Sequence, residues 1–283
     1  MSEHSPESPS FSPPDVGELN AAIEGYDISN LFASDQNGAL YRARHGTLDR
    51  DVCIKVLPPV DEENRDAYFE AFRHEARTMA KLTHSSIVKV YDFGQTGEGL
   101  NYFVMEYVEG SIFRRMLDYG QLTMDHIYGW ITPICEALQY AHERDVVHCD
   151  ISPPNILVTS EGEIKLANFG LSRLAGQSTS ANSLLSEYSA PECFQQLFPI
   201  DYRADIYSLG ILLYELLTGQ PPRGPYKSVH QFVEVDERFD EIIRRAIAID
   251  RNDRWQSALE ISSRVTRIRS NDDKPTGKFK FRE

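Results

Sequence analysis

The period of the hydrophobic pattern changes near residue 110, which restricts the chain to folds that keep a sheet-rich part apart from a helical one. From Tyr26 to about Val60, alternating segments are separated by turns at Asp35-Gln36-Asn37-Gly38 and around Gly46-Thr47, the signature of a β-meander. Residues 61–82 carry Phe69, Phe72, Ala76, Met79 and Ala80 at three- and four-residue spacing, which predicts a helix. Strands over Ile87–Phe93 and Tyr102–Tyr107 come next. Beyond Gly110 the pattern is mostly helical. One helix is expected over about 124–143, kinked by Pro133. Another, over 205–217, is apolar on nearly every side and so belongs at the centre of a core. Two more lie near 240–249 and 254–268. The class is α+β and bilobal: a β-rich N-lobe over 16–107 with one helix, and a helical C-lobe over 108–268, joined near 106–110. The Ser/Pro-rich residues 1–15 are expected to be a disordered tail, and residues 269–283 a polar C-terminal tail that is disordered from Asn271 to Glu283.

Composition narrows the function classes. The 283 residues hold 29 Lys+Arg against 43 Asp+Glu, a formal charge of −14, which argues against a nucleic-acid surface. Cys53, Cys135, Cys149 and Cys193 have neither metal-type spacing nor the pattern of a secreted disulfide framework. The start of the chain lacks the apolar core of a signal peptide. The longest apolar run, Leu209 to Leu217, is too short for a membrane span and is interrupted by Gly210, Tyr214 and Glu215. A soluble, cytoplasmic protein with protein partners is expected.

Chemistry first shows at Val52-Cys53-Ile54-Lys55-Val56-Leu57, a strand with a lysine among apolar residues. Twenty positions on, Glu75 occupies the apolar stripe of the 61–82 helix. A carboxylate there needs a compensating charge, and Lys55 is a natural partner. Taken alone, a snorkelling lysine and a helix-edge glutamate explain both as well. The pair gains weight from the downstream segments in their order: His148-Cys149-Asp150-Ile151-Ser152-Pro153-Pro154-Asn155, then Asn168-Phe169-Gly170, then Ala190-Pro191-Glu192, then Asp205 opening the buried helix.

In that order and spacing the segments resemble the signature set of the eukaryotic-like (Hanks-type) bacterial serine/threonine protein kinases over about residues 26–268. The resemblance implies a protein-kinase-like fold and ATP as cofactor. It assigns Lys55 to the α- and β-phosphates, Glu75 to orienting that lysine, Asp150 to accepting the substrate hydroxyl's proton, and Asn155 to a Mg²⁺ ion. Met105 falls at the back of the adenine pocket, the backbone of Glu106 to Val108 at its hinge, and Phe32, Leu40, Cys53 and Leu157 at its walls. Simple core packing accounts for each of these apolar residues as well. Glu192 and Arg254 correspond to a structural ion pair that anchors the activation segment. Asp92-Phe93-Gly94 is a decoy that precedes the catalytic loop, with Asp92 expected as a strand-end turn residue.

The departures from the family pattern cluster where metal, phosphate and acceptor would sit. Asn168 stands in place of the Mg²⁺-chelating aspartate, so the two protein ligands, Asn155 and Asn168, are neutral amides and Mg²⁺ is expected to be held weakly or not at all. The glycine-rich loop falls on Ala33-Ser34-Asp35-Gln36-Asn37-Gly38 and keeps only Gly38, while Asp35 brings a negative charge towards the triphosphate; as a plain reading, residues 34–38 make only a hairpin turn. Ser152 replaces a lysine, and Leu184-Leu185-Ser186-Glu187-Tyr188 lacks the family's threonine. Cys149 replaces the arginine that would pair with an activation-loop phosphate, leaving Ser178, Thr179, Ser180 and Ser183 as features of a flexible loop. Pro222 to Phe239 is shorter than in relatives, which trims a docking helix. The leading expectation is a pseudokinase that binds nucleotide or acts as a scaffold or regulator. The alternatives are an active ATP-dependent serine/threonine protein kinase with atypical metal use, and a small-molecule phosphotransferase on the same fold.

Overall fold

The computed structural model describes residues 11–60, 62–118, 122–169, 186–195 and 199–270. The chain divides into two compact units, one of Met1–Lys81 with Lys89–Tyr107 and one of Leu82–Val88 with Val108–Glu283. The short stretch 82–88 therefore groups with the helical unit and not with the continuous N-lobe read from the sequence.

The first unit is a five-stranded antiparallel sheet in the order β1-β2-β3-β5-β4: β1 Tyr26–Asp35, β2 Gly38–His45, β3 Arg50–Val56, β4 Val90–Gln95 and β5 Asn101–Glu106. Strand alternation gives it two faces. Ala39, Tyr41, Ala43, Val52, Ile54, Val56 and Val104 form one face and pack with Leu19 and Ile23 of helix α1, Val16–Ala22, and its C-terminal end. The other face carries Cys53, Lys55, Phe103 and Met105 and receives helix α2, Arg65–Ala80, whose Phe72 ring lies 4.6 Å from that of Phe103.

Helix α1 departs from the sequence pattern, which predicts one helix in the N-lobe. Its start is fixed by a reciprocal cap in which Gly17 N–H donates to Asp15 Oδ1 at 2.7 Å and Asp15 N–H donates to Glu18 Oε2 at 3.0 Å. The boundary expected at residue 15 also falls too late: Phe11 packs against the core and Tyr41 Oη donates to the Pro14 carbonyl at 2.7 Å. Two aromatic anchors outweigh a Ser/Pro-rich composition here. Asp92 lies inside β4 and not at a strand-end turn.

The second unit has a three-stranded sheet, β6 Gly110–Ile112, β7 Ile156–Thr159 and β8 Ile164–Leu166, in that order. Among the described residues its helices are α3 Phe113–Asp118, α4 Met124–His142, α5 Pro191–Gln195, α6 Arg203–Thr218, α7 Arg238–Ala246 and α8 Ala258–Ser270. Helix α4 runs through Pro133 as one element. From Ala204 to Thr218, only Tyr207 of α6 is not buried, as its all-round apolar pattern predicts. It stops at Gly219, whose φ of 83° suits a residue without a Cβ. Among the described residues, no helix is long and apolar enough to cross a membrane.

Candidate functional site

In the first unit, register places the candidate residues together. Lys55 pairs with Leu40 on β2 and Phe103 on β5, and Cys53 pairs with Met105. Lys55 and Glu75 are only 8% and 9% exposed. Glu75 sits three residues after Phe72 on the α2 face that covers Phe103, which puts it on the same side of the sheet as Lys55. Burial pushes the Cys53 thiol up to about 12 against the pull of Lys55, which disfavours the thiolate. Phe32 is about half exposed, with its ring 6.5 Å from Tyr107. Glu106 pairs with Val52 and donates its N–H to the Lys89 carbonyl. Val108 begins the second unit's main segment and is half-buried.

Residues 35–38 form a tight hairpin whose Asp35 carboxylate accepts the Asn37 N–H at 2.7 Å. The backbone donor that a phosphate loop would present is thereby taken by the loop's own side chain. Gly38 is required here: at φ 133°, a Cβ would lie 2.3 Å from the Val56 carbonyl oxygen.

In the second unit, Asp150, Ser152, Asn155 and Asn168 form one hydrogen-bonded chain. Ser152 Oγ donates to Asp150 Oδ1 at 3.1 Å, and Asn155 Nδ2 donates to Asp150 Oδ2 at 2.6 Å and to the Asp150 carbonyl at 2.9 Å. Because these partners are acceptors, the Asn155 amide must face them with its nitrogen, which turns Oδ1 the other way. Asn168 Nδ2 donates to that oxygen at 2.7 Å. An aspartate at 168 could not make this bond, since two carbonyl-type oxygens would face one another. The amide of Asn168 thus supplies the positive end that Asn155 Oδ1 requires.

Helix α6 holds the loop in place. Asp205 is fully buried and accepts His148 N–H, Cys149 N–H and His142 Nε2, each at 2.8 Å. Burial alone would raise this carboxyl, but His142, His148 and the two amides hold it below the usual carboxylate range. Cys149 and Asn168 both take left-handed backbone, with φ of 66°. The buried His148 ring meets the Ala167 carbonyl at 2.9 Å and the Phe169 ring at 4.4 Å.

Burial pushes His148 below the ordinary imidazole value of 6.5. With its folded-state pKa depressed, its stabilising contribution is whole above 6.5 and is lost as pH falls towards the folded value. Melting temperature should therefore begin to decline below pH 6.5, ahead of the acid limb set by Asp205 and Glu192. His148→Asn should flatten that first decline; an unchanged slope in thermal melts from pH 8 to 5 would remove His148 as its cause.

Residues 33–271 match the family described as "Protein kinase domain". The chain belongs to the protein kinase family. It is 31% identical over 275 residues to the probable serine/threonine-protein kinase PknB of Corynebacterium glutamicum, covering 87% of this chain and 42% of that protein. It is 31% identical over 269 residues to serine/threonine-protein kinase PknB of Mycobacterium leprae, covering 87% of this chain and 43% of that protein. The chain thus spans about two fifths of the length of these relatives. The crystal structure of a double mutant of the Mycobacterium tuberculosis PknI kinase domain superposes with a TM-score of 0.73 at 26% identity over 88% of this chain and 97% of that one. The fold is that of a protein kinase, with a sheet-rich N-lobe and a helical C-lobe.

This kinase domain keeps the expected structural ion pair. Arg254 donates Nη1 and Nη2 to the two Glu192 carboxylate oxygens at 2.6 and 2.7 Å. The segment between Thr218 and Arg238 holds the short turn Val229–Gln231. Asp240 ties that segment to α7 by accepting Tyr226 Oη and Val229 N–H, both at 2.7 Å, and Ser228 Oγ. Gly170, Ser178, Thr179, Ser180, Ser183, Leu184 and Leu185 lie outside the described residues. Among the described residues, no group of three or more His, Cys, Asp or Glu side chains is arranged to hold a metal. Sequence reasoning missed Asp205 and His142 as the loop's supports and read Ser152 only as a loss. An acid opening an otherwise apolar helix was the available signal for Asp205.

Proposed function

We propose that this protein kinase domain is a pseudokinase: a nucleotide-binding or scaffolding module in which phosphoryl transfer is weak or absent. The observation that carries the reading is the Asn168 Nδ2 to Asn155 Oδ1 hydrogen bond. Mg²⁺ dehydrates reluctantly and is usually held by one or two carboxylates together with phosphate oxygens. Here the two family ligand positions are neutral amides engaged with each other, so the residues present do not fit a Mg²⁺ pair. The Asp35 hairpin supports the same reading, because its carboxylate faces its own backbone donor and adds negative charge to a phosphate loop. In this reading Lys55, oriented by Glu75, and the backbone of Glu106 and Tyr107 bind nucleotide without metal, with Phe32, Leu40, Cys53 and Met105 as adenine-wall residues of the first unit.

A second reading, an active serine/threonine protein kinase with atypical metal use, is favoured by one feature. Asp150 is held by Ser152 and Asn155 through both carboxylate oxygens, which fixes the side chain that this reading uses as proton acceptor. Radiolabelled phosphotransfer with Mg²⁺ or Mn²⁺ separates the two. The pseudokinase predicts no activity above an Asp150→Asn control, and robust activity lost in that control would end the proposal. Calorimetric titration with ATP should give the same affinity with and without Mg²⁺. Asp35→Gly should raise that affinity by about 3- to 10-fold, the scale of one like-charge contact in partly exposed surroundings.

A further inference from the structure

The overall acidity conceals a region of opposite sign. Residues 244–270 contain seven arginines and three acids, a net +4 in a chain of net −14. Two of the seven are accounted for by carboxylates, Arg254 by Glu192 and Arg251 by Asp201. Among the described residues, Arg244, Arg245, Arg264, Arg267 and Arg269 have no carboxylate partner.

Helix-end electrostatics explains part of this, since Arg244 and Arg245 close α7 and Arg267 and Arg269 close α8. It does not explain Arg264, in the middle of α8, nor where Arg245 points. The guanidinium carbons of Arg245 and Arg264 lie 4.0 and 4.1 Å from the centroid of the same Trp255 ring, so they are no more than about 8 Å apart. Trp255 is fully buried and fixed by its Nε1–H donating to the Ile242 carbonyl at 2.9 Å. Two like charges are therefore held within about 8 Å of each other by contact with one rigid indole, which limits the side-chain freedom left to lose on binding an anion. Arg267, one turn beyond Arg264, and Arg244, next to Arg245, are exposed and extend the positive surface.

We propose that the arginines around Trp255 are a docking site for an acidic, Asp/Glu-rich segment of a partner protein. Charge complementarity carries the choice of occupant. The chain's own C-terminal residues 271–283 hold four basic and three acidic side chains and so offer no net negative charge to fill the site. The site lies wholly within the helical unit.

The test is fluorescence anisotropy of a labelled twelve-residue Glu/Asp-rich peptide against the full chain, with a neutral peptide, a twelve-base-pair duplex and phosphatidylserine vesicles as comparison arms. The acidic peptide should bind at least tenfold more tightly than the neutral one, and the affinity should fall with added salt. Arg245→Gln with Arg264→Gln should remove binding. Because these side chains cover Trp255, Arg244→Glu with Arg267→Glu provides a second variant that leaves the indole shielded and should weaken binding at least tenfold. Equal binding of acidic and neutral peptides, binding unchanged in the second variant, or tighter capture of duplex or vesicles would each overturn the assignment.

Discussion

Replacing Asn168 by aspartate should make the site responsive to Mg²⁺. Without metal, the variant loses the bond to Asn155 Oδ1 and sets a carboxylate against that oxygen, so it should be less stable than the parent by about 1–3 kcal/mol. With millimolar Mg²⁺ the repulsion becomes coordination, and the stability should return as RT ln(1 + [Mg²⁺]/Kd). In calorimetry with ATP, Mg²⁺ should strengthen binding to the variant by about tenfold or more, ~1.4 kcal/mol, and leave the parent unaffected. A parent protein whose ATP affinity already rises tenfold with Mg²⁺ would remove the basis of the pseudokinase proposal. The substitution is a sharp test because the two side chains are nearly the same size, so the change is one of charge and donor capacity.

Asp205→Ala should have the largest effect on stability. It orphans the His148 and Cys149 amides and leaves His142 Nε2 without its acceptor, all in a largely buried setting. Breaking a buried charged network of this kind costs about 3–5 kcal/mol, which for a domain of this size lowers the melting temperature by roughly 10 °C. Cys149 should suffer most directly, because its left-handed backbone is held by that carboxylate. Asp205→Asn keeps one acceptor oxygen and should lose about half as much. A melting temperature within 2–3 °C of the parent for Asp205→Ala would show that the loop stands without its support.

The two substitutions also separate what is legible in the sequence from what is not. Most elements carry their own periodicity. The three strands of the meander, helix α2 with Phe72 and Met79, and the all-round apolar α6 are local patterns, and the structure places each within a few residues of its expected position. Helix α1 is illegible because its seven residues are short of apolar periodicity, and only Leu19 is buried within it; its reason for forming is the sheet face waiting for Leu19 and Ile23. Likewise, residues 11–15 read as a tail by composition and are anchored by contacts that composition does not encode.

The sequence by itself determined the family and the identities of the residues at its motif positions. An asparagine at 168 and an aspartate at 35 are facts of the chain, and their charge consequences follow from chemistry alone. Only the tertiary structure decided how those residues are satisfied. The direction of the Asn155 amide, the use of the Asn37 N–H by Asp35, and the meeting of Arg245 and Arg264 over one indole all depend on distances between residues that the chain order does not fix. Hydrogen bonds and charge pairs act over a few ångströms, whereas sequence periodicity reports only which face of an element is buried.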